Sequence, residues 1–328
     1  MSPWLQGQLT TLLERRGHAW LLQGPSGLGQ YTLGLELARA WLCEAPTKQG
    51  ACYQCRSCHA VDVRTHADLR TLMPEALALE LSWPLDEKTQ KELDDKKRKP
   101  SKEIRVEAAR DMVAFSQQTR SGGSTKVVFV YPAERMNHVT ANTILKTLEE
   151  PPGECRFVLA SEAAHQLLPT IRSRCQTHTM VWPTEAEALS WLQTQGVPAS
   201  EAAVLLRAAG GRPEDALDLA HAGLKAAIWA GLPKAVLRGD VGAVSDATPS
   251  QAIAMLQKLC HDLLALRTGG EPRFFMAADL PTAGTVSSLT QWSKDLMDAA
   301  RTSEHPYNAG LMFEALVARS QTALRAKD

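Results

Sequence analysis

A strand candidate, Ala19-Trp20-Leu21-Leu22-Gln23, runs straight into Gly24-Pro25-Ser26-Gly27-Leu28-Gly29-Gln30-Tyr31, and a helix candidate continues to Leu42. A strand, a glycine-rich turn and a helix N-terminus are the setting of the phosphate loop G-x-x-x-x-G-K-[ST]. Two positions depart from that pattern. The lysine position is Gln30 and the Ser/Thr position is Tyr31. In a working loop the lysine brings a positive charge to the β/γ-phosphates and the small hydroxyl ligates magnesium. Gln30 is neutral, and Tyr31 carries its oxygen at the far end of a bulky ring.

The acid that organises magnesium and water at the end of a neighbouring strand is missing too. The strand candidate Lys126-Val127-Val128-Phe129-Val130 continues as Tyr131-Pro132-Ala133, and Glu134 follows only after the proline. Together the three losses argue against ATP hydrolysis in cis. Gly24, Gly27 and Gly29 persist, so backbone donors for weak phosphate binding remain an open alternative.

The first 180 or so residues alternate apolar strands with helical stretches, which predicts a mostly parallel sheet. Strands are expected at 19–23, 68–72, 126–131, 156–160 and 177–182, with helices at 30–42, 104–116 and 139–150. In the last of these, Ala141, Ile144, Leu145 and Leu148 form one apolar stripe. Asp86 to Lys102 is almost wholly charged or polar, which predicts a mobile, solvated excursion. A DNA-facing basic segment around Lys96-Lys97-Arg98-Lys99 is the alternative, weakened by Asp94 and Asp95. Beyond Pro183 only helical periodicity remains, at 185–195, 200–209 and 213–222. It then continues from 224 to the end, interrupted at Gly269-Gly270-Glu271-Pro272 and at Pro281. Boundaries are expected near 180 and 223. The stripe Ile253, Leu256, Leu263 and Leu264 suits either a subunit interface or an internal core.

Cys43, Cys52, Cys55 and Cys58 follow the loop helix as C-x8-C-x2-C-x2-C. Two-residue spacings let thiolates converge on one ion, and four soft sulfurs in a closed tetrahedral set suit structural zinc. His59 or His66 in place of Cys43 is an alternative ligand. An iron–sulfur motif would need a further cysteine where Asp62 stands. Cys155, Cys175 and Cys260 are isolated and are expected to be packed thiols.

Lys+Arg and Asp+Glu each number 36, so the net charge is zero. A chain that grips DNA unaided normally has a basic excess. Any nucleic-acid role is therefore expected to be shared with partners. No run approaches the ~18 apolar residues that span a bilayer, and the odd cysteine count does not suit a secreted disulfide framework. A cytoplasmic location is expected.

Four stretches carry a resemblance to the clamp-loader ATPases of bacterial DNA polymerase III, a family of AAA+ proteins. They are Gly24 to Gln30 with its helix to Cys43, the four-cysteine spacing, Leu145-Lys146-Thr147-Leu148-Glu149-Glu150-Pro151-Pro152, and Ile171-Arg172-Ser173-Arg174-Cys175. The eight-residue stretch is the most specific, and the matches span roughly residues 19 to 175. The resemblance implies a degenerate P-loop AAA+ (RecA-like) α/β domain over 1–180 with a zinc module at 43–58. A helical lid over 181–222 and an all-α collar over 223–328 would follow.

Motor subunits of the family carry an intact Gly-Lys-Thr loop and an Asp-Glu pair after the strand. They also carry a lid arginine that falls here at Glu214, within Gly211-Arg212-Pro213-Glu214-Asp215-Ala216-Leu217. The departures imply a non-catalytic subunit of a nucleotidyltransferase holoenzyme, working at the replisome on the nucleoid. Arg174 would then be an arginine finger acting in trans on the ATP of a neighbour; alternatively it pairs with a local acid. Implied partners are the homologous gamma/tau ATPase subunits and a delta subunit, with the sliding clamp and primed DNA reached through the complex. Two other readings stay open. One is an active or nucleotide-binding AAA+ subunit with an atypical loop, and the other is a zinc-dependent nucleic-acid-binding module.

Overall fold

The computed structural model describes residues 1–123, 125–303 and 308–326. The chain divides into two compact units, Met1–Pro183 and Thr184–Asp328. The first is α/β. Its five strands are β1 (Ala19–Gln23), β2 (Leu69–Leu72), β3 (Lys126–Val130), β4 (Cys155–Ser161) and β5 (Gln176–Thr179). They form one sheet in the order β2-β3-β4-β1-β5, with every neighbour pair parallel. Such a sheet must be covered on both faces, and its strands read as continuous apolar runs.

Alternation along the strands divides the core. Val128 and Val130 pack with Phe157, Leu159, Met112, Phe115, Ile144 and Leu148 on the face of α6 (Val106–Gln117) and α7 (His138–Glu149). Val127 packs instead with Ala38 and Leu42 of α2 (Gln30–Leu42). Lys126 opens this fully buried strand. Its Nζ donates to the Phe115 carbonyl (2.6 Å) and lies 4.4 Å from the centre of the Phe115 ring, so the charge is partnered. α2 approaches β3 closely: a Cβ on Gly34 would lie 2.4 Å from Cε2 of Phe129.

α1 (Pro3–Glu14) has no counterpart among the elements expected from the sequence. Its Trp4 indole donates to the Leu28 carbonyl in the glycine loop (3.3 Å), and Gln8 Oε1 accepts from the Val181 amide (2.9 Å). The short helices α3 (Arg56–Asp62), α4 (Glu75–Glu80), α5 (Glu87–Asp94) and α8 (Pro169–Arg172) complete the unit.

The charged segment 86–102 has no buried residue, as expected of a solvated excursion, but it carries a capped helix and is anchored by an arginine. Asp86 caps α5 by accepting from the Thr89 amide (2.9 Å). No residue of α5 is buried, and ion pairs tie down the segment that follows it. Glu75, 8% exposed, accepts from Arg98 Nη2 (2.9 Å) and the Ser101 amide (2.8 Å) and faces Arg105 Nε at 3.1 Å. Arg98 also donates to Glu92 (2.9 Å), and Lys97 meets Asp95 (2.8 Å). The arginine of the basic run therefore points inward.

The second unit is all helical. A core of Ala188, Leu192, Ala202, Leu205, Leu206 and Ala216 serves α9 (Glu185–Thr194), α10 (Ala199–Ala208) and α11 (Pro213–His221). A second core gathers α12 (Ala226–Arg238), α13 (Pro249–Arg267), α14 (Val286–Thr302) and α15 (Ala309–Arg325) and also takes in Ala208 of α10. Ile253, Leu256 and Leu263 are 2% exposed or less, with Leu264 against them, so the α13 stripe is internal core. Buried Asp262 accepts from the amides of Arg273 (2.9 Å), Phe274 (2.7 Å) and Phe275 (2.8 Å), fixing the loop after α13. The range 223–328 includes 304–307 and 327–328, which lie outside the described residues.

Two predictions follow from this packing. Gly34→Ala should lower the urea midpoint, because overpacking against Phe129 costs about 1–3 kcal/mol and outweighs the gain of about 1 kcal/mol in helix propensity. Gly7→Ala in α1, where a Cβ meets nothing within 4 Å, should raise it. For Glu75, burial opposes ionisation, yet Arg98, the Ser101 amide and Arg105 hold the carboxyl below its ordinary 4.5. A depressed folded-state value contributes stability above 4.5 that disappears as pH falls through the lowered value. The stability gap between wild type and Glu75→Gln should therefore be greatest near neutrality and shrink on acidification, read from urea midpoints across a pH series.

Candidate functional site

The glycine loop between β1 and α2 keeps the phosphate-loop backbone. Gly27 (φ 74°) and Gly29 (φ 92°) are both left-handed, and Gly29 is the N-cap of α2. The side chain at the lysine position is turned inward. Gln30, 2% exposed, donates from Nε2 to the carbonyls of Gly24 (2.8 Å) and Pro25 (2.6 Å). Its amide is committed to closing the loop on itself.

Next to it, aromatic rings fill the corner where a hydroxyl and an acid would hold a cation. The Tyr31 ring centre lies 5.7 Å from that of Phe129 and 5.3 Å from that of Tyr131. Phe129 and Tyr131 stack at 6.3 Å with 10° between their planes. The Trp83 indole donates to Tyr31 Oη (2.8 Å), and Tyr131 Oη donates to Glu162 Oε1 (2.7 Å). Glu134, the late acid, accepts from the Glu162 amide (3.1 Å). The three rings thus join α2 to the end of β3 as one packed set. Trp83 and Glu162 were invisible to sequence reasoning, since each lies dozens of positions from the loop and carries no motif of its own.

The four cysteines converge. The Sγ atoms of Cys43, Cys52, Cys55 and Cys58 all lie within 4.8 Å of one another. Cys43–Cys55 is 3.9 Å and Cys52–Cys58 is 4.0 Å, close to the edge of about 3.8 Å expected for a tetrahedron with Zn–S arms of about 2.3 Å. Amide N–H groups point at the sulfurs, Cys52 N at Cys43 (3.3 Å) and Cys58 N at Cys55 (3.4 Å). Amides of Gln54 and Cys55 hold the Cys52 thiol down to about 6, whereas burial pushes Cys43 and Cys58 up, so the case for a metal rests on the sulfur geometry.

Neither His59 nor His66 joins the group. The Nδ1 of His66 accepts from the Asp68 amide (3.1 Å). The module is tied to α2 by buried Arg39, which pairs with Asp62, faces Glu36 (3.4 Å) and lies 5.4 Å over the Tyr53 ring. With four sulfurs and no open position, the set fits a structural zinc ion. Of the other cysteines, burial pushes Cys155 up to about 11 and Cys175 and Cys260 up to about 12, which makes them inert thiols.

Arg174 lies just beyond α8. Its Nε and Nη2 both reach Glu149 Oε2 (2.8 and 2.7 Å), and Nη1 donates to the Thr170 carbonyl (3.0 Å). The local acid considered from the sequence is thus present in the isolated chain. The pair is accessible, with side-chain exposures of 29% for Arg174 and 56% for Glu149. At the start of α11, the N-cap residue Arg212 pairs with Asp215 (2.9 Å).

Residues 5–182 match the family described as DNA polymerase III, delta subunit. The chain is 36% identical to "DNA polymerase III subunit delta'" of Pseudomonas aeruginosa over 68% of its own length and 62% of that relative's. It is 35% identical to the Escherichia coli protein of the same description, over 66% of this chain and 60% of that one. The chain thus spans about three-fifths of the length of these relatives. It is also 28% identical to "DNA polymerase III subunit gamma" of Buchnera aphidicola, over 48% of this chain and 36% of that one. Among the described residues no helix is long and apolar enough to cross a membrane.

The sulfur geometry predicts one zinc per chain by elemental analysis of protein purified without chelator. Cys52→Ser and Cys55→Ser should each lower that content, and a thiol-modifying reagent should release zinc to a colorimetric chelator. Metal-free protein of full stability would contradict a structural role.

Proposed function

Because the chain belongs to the DNA polymerase III delta subunit family, we propose that it is the stator of a clamp loader. In this reading it hydrolyses no ATP itself, presents Arg174 to ATP held by a neighbour, and helps load the sliding clamp onto primed DNA. The observation that carries the reading is the filled cation corner. With the Gln30 amide committed to the loop carbonyls, position 30 brings no charge to phosphate. With Tyr31 and Tyr131 packed together, rings stand where the small hydroxyl and the strand-end acid would be, and the nearby Glu162 accepts from the Tyr131 hydroxyl. The backbone donors of the loop are retained, so weak nucleotide binding without turnover is compatible with the same geometry.

On this reading residues 1–180 are a degenerate AAA+ domain carrying a structural zinc at 43–58. Residues 181–222 are the lid and 223–328 the collar that joins the ring. Two apolar clusters, one centred on α9–α11 and one on α12–α15, are compatible with that division, although Ala208 of α10 joins the second and Leu219 and Leu224 pack against both. Neighbours would be gamma/tau-type ATPase subunits and a delta subunit, a kinship supported by the similarity to a gamma subunit. A guanidinium facing developing phosphoryl charge accelerates transfer by ~10³–10⁵-fold in related systems. A subunit without a working site can therefore still govern its neighbour's rate.

The test is DNA-stimulated ATP turnover of the reconstituted complex, wild type against Arg174→Ala, beside turnover by the isolated chain. The isolated chain should show none. The Arg174→Ala complex should assemble, and the one site it completes should slow by about 10³-fold. Unchanged turnover in an assembled complex would remove the finger. Hydrolysis by the isolated chain would remove the stator.

A further inference from the structure

The stretch Leu145 to Pro152 is the most specific signature in the sequence, yet nothing above gives it work. Its Glu149 is the last residue of α7. A carboxylate at a helix C-terminus faces the negative end of the helix dipole, so the position itself disfavours an acid. What offsets this is Arg174, whose Nε and Nη2 both reach Glu149 Oε2.

We infer that Glu149 is the positioning residue of Arg174, holding the guanidinium in a fixed orientation with its outer edge free for a phosphoryl group. The inference rests on the finger reading of Arg174. A guanidinium has five N–H groups. Glu149 takes one from Nε and one from Nη2, and the Thr170 carbonyl takes one from Nη1. One N–H on each terminal nitrogen stays uncommitted among the described residues. These uncommitted donors are what a guanidinium can offer to phosphate oxygens.

Both supports are rooted in the core. Leu148, beside Glu149, and Ile171, beside Thr170, are both fully buried in the same apolar cluster. The His18 ring also contacts the Leu148 carbonyl (3.1 Å). The acid and the carbonyl therefore hold a long, rotamer-rich side chain against a rigid base. The ordering entropy is met within this chain rather than at the moment of reaction.

The test compares Glu149→Ala, Glu149→Gln, Arg174→Ala and the Ala/Ala double variant in the reconstituted complex, with assembly checked for each. Glu149→Ala should lower kcat by ~10-fold, inside the ~10²-fold that a misplacement of about 1 Å can cost. KM for ATP should stay unchanged. Glu149→Gln keeps an acceptor oxygen and should recover part of the loss, and the double variant should be no slower than Arg174→Ala. Should Arg174→Ala slow turnover while Glu149→Ala leaves it unchanged or raises it, the positioning role falls and the finger stands. A double variant clearly slower than Arg174→Ala would also overturn it, since Glu149 would then act independently. If Arg174→Ala has no effect in an assembled complex, both readings fall together.

Discussion

Helix α2 lies against β3 at a distance that only a residue without a Cβ permits, and much of the first unit hangs on that approach. The helix begins at the glycine loop, crosses Phe129 at Gly34, and ends beside Cys43. Its first residues deliver Gln30 and Tyr31 to the loop. Its middle fixes the ring on which Tyr31 and Tyr131 pack. Arg39 near its end anchors the cysteine module through Asp62 and Tyr53. Loop, aromatic corner and cysteine cluster are consequences of one rigid rod seated on one strand.

Elsewhere the unit uses buried charge where apolar contact is scarce. α5 offers no buried residue, and the segment that follows it is held by Glu75, which gathers Arg98, the Ser101 amide and Arg105. Lys126 keeps an ammonium inside a central strand by meeting a carbonyl and an aromatic face. In the second unit Asp262 gathers three consecutive amides. Each is costly to leave unpaired, and each is satisfied, so these contacts specify where a segment goes more than they add stability.

What the sequence made legible was contiguous. The loop is a run of neighbours between a strand and a helix. The cysteines lie within 16 residues, and the parallel sheet follows from apolar runs separated by helical stripes. What it hid was paired across distance. Trp83 reaches Tyr31 over 52 positions, and Glu149 reaches Arg174 over 25. Composition at 86–102 indicated a solvated segment, and none of its residues is buried; what it did not disclose is the helix within it and the reach of Arg98 to Glu75, outside the segment. The α13 stripe had two physical uses, and only packing against Trp292 and Phe313 in the same core decides for the interior.

The aromatic corner has an evolutionary consequence. Tyr31, Tyr131 and Phe129 interlock, with Trp83 and Glu162 bonded to the two phenols. Replacing either tyrosine alone strands an indole donor or a carboxylate and opens a void beside the remaining rings. Reopening the corner to a cation would need several changes at once, each harmful on its own path. Interlocked rings of this kind resist piecemeal change, because each member is a packing partner of the others.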